Sequence, residues 1–171
     1  MLVFLDFDGV LHRFFPLPGV PDEENAHFHF MPHFARAVMD SGVPVEIVIS
    51  STWRRKYELS ALRSNFPRSI AHLVVGVTPT VGSGAGPGAR QVEVEAWLAA
   101  QGRDGEAWVG VDDFPSLYQP GAAVVACQDQ FAELESQLLI EALRDPAGFA
   151  LAHPVRADDV GNKSVLQLGC A

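Results

Sequence analysis

The chain has 171 residues, enough for one core of ordinary size, and 48% of them are hydrophobic against 19% charged. That apolar content excludes disorder as a description of the whole chain, and no apolar run approaches the ~20 residues that cross a bilayer. The formal charge of −9 argues against a general nucleic-acid coat protein, while leaving room for a local basic patch that holds an anionic substrate. In chain order, five apolar runs are predicted as strands: Leu2–Leu5, Val45–Ile49, Leu73–Val77, Ala107–Val111 and Ala122–Ala126. Most are continuously apolar, as strands covered on both faces are. The opening MLVFLDFDGV has no basic lead and carries Asp6 and Asp8, so no cleaved signal peptide is expected and the expected compartment is the cytoplasm. Helical spacing predicts helices over Pro32–Ser41 (Phe34, Val38), Lys56–Asn65 (Leu59, Leu62), Arg90–Gln101 (Val92, Ala96, Trp97) and Gln130–Arg144 (Phe131, Leu134, Leu138, Ala142). Strand–helix alternation implies an α/β fold, a Rossmann-like three-layer α/β/α sandwich around a parallel sheet. Residues 1–171 are expected to form a single domain, with a flap over 12–31, a Gly/Pro-rich loop over 78–89 and an irregular tail over 147–171 that holds a short strand at Val165–Leu168.

In such sheets ligands bind outside the carboxyl ends of the strands. The first strand ends in Asp6-Phe7-Asp8-Gly9. Two carboxylates there repel each other and resist burial unless a cation resolves the conflict. A hard divalent ion such as Mg²⁺ suits that role. The second strand ends in Ser50-Ser51-Thr52-Trp53-Arg54, whose hydroxyls and free N–H groups suit a phosphate. The fourth ends in Asp112-Asp113, a second acidic pair on the same edge, and Arg90 opens the helix before it.

Asp6-Phe7-Asp8-Gly9-Val10 resembles the first motif of the haloacid dehalogenase (HAD) superfamily, DxDG[TV]. Ser50 falls where that family has its second motif, Arg90 where it has its basic third motif, and Asp112-Asp113 where it has its acidic fourth. The resemblance runs from residue 2 to about residue 126. It implies a strand order 3-2-1-4-5 and a Mg²⁺-dependent phosphatase acting through an aspartyl-phosphate. Asp6 would be the nucleophile and Asp8 the general acid and base. Asp6, the Asp8 carbonyl and Asp112 or Asp113 would hold Mg²⁺. Ser50 and Arg90 would bind the phosphoryl oxygens. Strand length favours Ser50 over Ser51 for the second motif, and Arg54, Lys56 and Lys163 stand as alternatives to Arg90. The Asp at position 8 disfavours dehalogenation. The short gaps around the second strand leave no room for a large cap, so the site is expected to be open to a phosphorylated small molecule or a macromolecular end.

Two other function classes compete. One is a non-catalytic domain that binds Mg²⁺ and phosphate; the other is a phosphatase of nucleotide or nucleic-acid ends, with Trp53-Arg54-Arg55-Lys56 as a rim of charge and stacking. His12, His27, His29 and His33 meet no zinc spacing rule and are read as flap residues, as are Phe14, Phe15, Phe28 and Phe30. The glycines of 84–88 only mimic a dinucleotide fingerprint. Cys127 and Cys170 are read as reduced thiols, and Asp158-Asp159 as a surface loop.

Overall fold

Strands β1 (Leu2–Leu5), β2 (Glu46–Ile49), β3 (Val74–Val77), β4 (Trp108–Asp112) and β5 (Val124–Ala126) lie side by side in one parallel sheet in a computed structural model that describes residues 1–82 and 86–156. Their order is β3-β2-β1-β4-β5, as the resemblance implies. Side chains alternate across a strand, and β1 shows the consequence. Val3 and Leu5 join Ile47, Ile49, Val109 and Val111 on one face; Leu2 and Phe4 join Val48 and Val124 on the other. Helices α1 (Met31–Asp40), α5 (Glu133–Arg144) and α6 (Pro146–Ala152) cover the first face through Phe34, Val38, Leu139, Leu143 and Phe149. Helix α4 (Ala89–Ala100) covers the second through Val94, Trp97 and Leu98. No helix among the described residues is long and apolar enough to cross a membrane.

Several expectations shift. The helix predicted over Lys56–Asn65 is present but shorter, as α2 (Leu59–Arg63), with a 3-10 turn, Thr52–Arg55, before it and a further short helix, α3 (Arg68–Ala71), after it. Ser51 caps the turn, Arg54 ties back to the Ser50 and Ser51 carbonyls, and Pro67 opens α3. The fourth expected helix starts at Glu133, because the extended Ala132 donates its N–H to Glu135 at 2.9 Å. The tail expected to be irregular from residue 147 begins with α6: the Asp145 carboxylate accepts the Gly148 N–H at 3.0 Å, and Pro146 sits at the first helical position. The buried face of α4 is not the Val92–Ala96 face. Val92 is exposed, while Arg90 and Glu93 are buried beside Val94 and Trp97. Within the flap, the only helical turn is Asp22–Asn25. Residues 83–85, Asp158-Asp159, Lys163, Val165–Leu168 and Cys170 lie outside the described residues.

Register is what builds the site. Leu5 stands opposite Ile49 and Val111, and Ile49 opposite Val77. The ladder runs one residue further: Asp6 donates its N–H to Val111, Ser50 to Leu5 and Thr78 to Ile49, at 2.9–3.0 Å. Thr78, Ser50, Asp6 and Asp112 therefore emerge in a row along the carboxyl edge.

Candidate active site

Asp6, Asp112 and Asp113 each offer a carboxylate oxygen, and these oxygens lie within 4.8 Å of one another. All three residues are buried. The Phe7 N–H fixes one Asp6 oxygen at 2.8 Å, and the Phe114 N–H fixes one of Asp112 at 2.9 Å. The Tyr118 hydroxyl donates to the other Asp112 oxygen at 3.3 Å. Gly9 sits at φ +73°, and a Cβ there would collide with the Asp113 carboxylate. Gly9→Ala is therefore expected to destabilise the protein by at least ~1–2 kcal/mol, the cost of a left-handed non-glycine residue, with displacement of Asp113 added. Chemical denaturation checks it, and unchanged stability would contradict the close approach.

The Arg90 guanidinium is ion-paired with two carboxylates of this cluster. Arg90 lies 3.1 Å from Asp112, 3.5 Å from Asp6, and donates to the Ser50 carbonyl. Burial works against its charge, but Asp112 and Asp6 outweigh it and raise its affinity for the proton. Burial also pushes the Asp112 carboxyl up to about 6 against the pull of Arg90, and the charge on Asp6 adds to the push. Three buried carboxylates this close repel one another. An all-oxygen cluster of this kind fits a hard divalent cation.

Two buried hydroxyls end the row. Ser50 Oγ and Thr78 Oγ1 have no hydrogen-bond partner. Burying a hydroxyl unbonded costs about 1–3 kcal/mol, so each keeps a donor to give.

The chain matches, over residues 2–137, the family described as the HAD domain in Swiss Army Knife RNA repair proteins. It belongs to that family. The matched span holds the whole sheet and every residue of the cluster. No curated protein and no solved structure matches the chain. HAD domains are typically hydrolytic, and membership with the acidic triad in place supports a phosphatase-type hydrolase.

Within this HAD domain, Asp6, Arg90, Asp112 and Asp113 meet, and Ser50 joins them through its carbonyl on Arg90. The other sequence-derived candidates do not join them. The Asp8 carboxylate lies outside the three-carboxylate cluster: it accepts the Trp53 indole N–H at 3.1 and 3.2 Å and lies 3.1 Å from His12 Nε2. Ser51 Oγ accepts the Trp53 backbone N–H at 3.4 Å as the cap of its turn. Arg54 spends its guanidinium on the carbonyls of Ser50, Ser51 and Thr78 and on Glu93, 2.6 Å away. Burial lowers its pKa, with Glu93 opposing the shift. It ties the ends of β2 and β3 to α4 and has few donors left for a phosphate. Sequence reasoning misses Thr78, Glu93 and Tyr118. The strand-end rule that finds Ser50 also points at Thr78, and a Glu three residues after Arg90 shares its helix face. Cys127 is free and buried, and burial pushes its thiol up, as an inert core thiol requires.

Proposed function

We propose that this HAD domain is a Mg²⁺-dependent phosphatase that works through an aspartyl-phosphate. The observation that carries the reading is the buried Asp6–Asp112–Asp113 cluster with the Arg90 guanidinium set against it. Asp6, Asp112 and Asp113, with the backbone carbonyl of Asp8, are the groups that would hold the cation. Bound there, it neutralises the cluster and polarises the phosphoryl group. Asp6 forms the new O–P bond as the bond from phosphorus to the leaving oxygen breaks. Asp8 gives its proton to that oxygen, then takes one from the water that attacks phospho-Asp6, releasing phosphate and restoring the carboxylate. Ser50 Oγ and the Arg90 guanidinium donate to the phosphoryl oxygens as charge builds on them. Ser50 is preferred to Ser51 because the Ser51 hydroxyl is already committed to a cap.

Ser50→Ala is expected to lower kcat by about 10²-fold, the usual worth of one such donor. Its stability should not fall, since the hydroxyl it removes is buried without a partner. Phosphate release beside a melting curve measures both. Unchanged kcat would return the role to Ser51.

The substrate class favoured is a phosphorylated nucleic-acid end. The family description names RNA repair proteins, and Arg55, Lys56 and Tyr57 form an exposed basic and aromatic rim next to the 3-10 turn. Arg54 is buried against Glu93 and is not part of that rim. Binding of a phosphorylated oligoribonucleotide should weaken with salt, and weaken further in Arg55→Ala/Lys56→Ala. Salt-independent binding would point to a small-molecule phosphate instead.

A further inference from the structure

The general acid of the proposed reaction is held by two residues from separate parts of the chain. Trp53, from the turn after β2, donates its indole N–H to both Asp8 oxygens at 3.1 and 3.2 Å. His12, from the loop after β1, places Nε2 3.1 Å from one of them. While Asp8 is ionised it can only accept, and Nε2 then donates to it. The holders are themselves held. The His12 ring is buried, and its centroid lies 4.8 Å from His27, 5.4 Å from Phe28 and 5.6 Å from Trp53. Trp53 packs on Phe7, His27, Phe28 and Tyr57. Phe28 reaches this cluster from a φ of 63°, a strained conformation for a phenylalanine, which the surrounding contacts must outweigh. The Gly9 N–H to His12 carbonyl bond, 2.8 Å, closes the loop that carries both Asp8 and His12.

We propose that Trp53 and His12 are positioning residues that hold the Asp8 carboxylate in line with the leaving oxygen, so that they govern turnover of substrates whose leaving group must be protonated. This rests on the phosphatase reading above and adds to it a pair of residues acting only through Asp8. Its signature is a dependence on the leaving group. Nitrophenolate departs without help, whereas phenolate, a much stronger base, needs the proton of Asp8.

The test compares p-nitrophenyl phosphate with phenyl phosphate, in Mg²⁺, for wild type, Trp53→Phe, His12→Leu and His12→Gln. The quantity read is kcat/KM, which reports formation of phospho-Asp6. Trp53→Phe keeps an aromatic ring and removes the donor. It and His12→Leu are expected to lose roughly tenfold or more on phenyl phosphate and no more than about twofold on p-nitrophenyl phosphate, part of the 10²–10⁴-fold range of acid catalysis. His12→Gln, which restores an N–H donor, should recover most of the loss. Asp8→Asn marks the full effect. Equal losses on both substrates, or no loss, would overturn the positioning role while leaving the phosphatase reading intact. A wild type that turns over only the nitrophenyl ester would overturn it too, because Asp8 would not be protonating the leaving oxygen. A wild type that releases phosphate from neither ester nor a phosphorylated oligoribonucleotide would remove the phosphatase reading, and this inference with it.

Discussion

Asp6→Asn is expected to lower metal-dependent phosphate release by on the order of 10⁴-fold or more, because an amide cannot form the phosphoryl ester on which the rest of the cycle depends. The same variant should not lose stability. Asp6 shares a buried pocket with Asp112 and Asp113, and Arg90 lies closer to Asp112, at 3.1 Å, than to Asp6, at 3.5 Å. Removing the Asp6 charge relieves repulsion and leaves Arg90 with its nearer partner. In the absence of divalent cation, Asp6→Asn should therefore melt at or above the wild-type temperature. Lost turnover with retained stability separates a nucleophile from a structural carboxylate. Lost turnover with a collapsed fold would not support the assignment.

Arg90→Met acts in the opposite sense on stability. It strips the guanidinium from Asp6 and Asp112 and leaves two buried carboxylates facing Asp113 without the charge that pairs them. Breaking a buried pair from one side costs about 3–5 kcal/mol, and denaturant unfolding in a chelator should show a loss of that order. Mg²⁺ should restore part of it, since a cation in the cluster replaces some of the missing charge. Turnover should fall by about 10²–10³-fold even at saturating Mg²⁺, because the donor to the phosphoryl oxygens is gone. Arg90→Lys keeps the charge but lacks the fork that spans Asp6, Asp112 and the Ser50 carbonyl at once, so it should fall between Met and wild type on both measures. An Arg90→Met protein as stable and as active as wild type would contradict the electrostatic account of the cluster.

What the sequence carries well is whatever depends on strand ends. Continuously apolar runs mark β1 to β5, and the residue after each run lies on the carboxyl edge. Asp6, Ser50 and Asp112 are legible there from the order of residues alone. Arg90 follows less directly. The helix it opens is legible, but periodicity assigns the buried face to Val92, Ala96 and Trp97, of which only Trp97 is buried, because it assumes that buried residues are apolar. In α4 the buried face includes Arg90 and Glu93, each matched to a charge on another element. Arg54 illustrates the same limit. Next to Arg55 and Lys56 it reads as part of a solvated basic rim, and nothing local announces Glu93 as its partner. The turn over Thr52–Arg55 is hidden from local spacing, which begins a helix only at Lys56, because long-range contacts of Trp53 and Arg54 hold it. Helix α6 is masked by Asp145-Pro146, which reads as a stop although an Asp followed by Pro also starts a helix.

The central claim is that a cation-dependent phosphoryl transfer to Asp6 drives the reaction. The most direct measurement mixes the protein with p-nitrophenyl phosphate and Mg²⁺, quenches in acid during turnover, and maps the peptide that gains one phosphoryl group. The account expects that group on Asp6, absent from the chelated sample and from Asp6→Asn. Turnover that proceeds without the cation, or a phosphoryl group on any other residue, would contradict it.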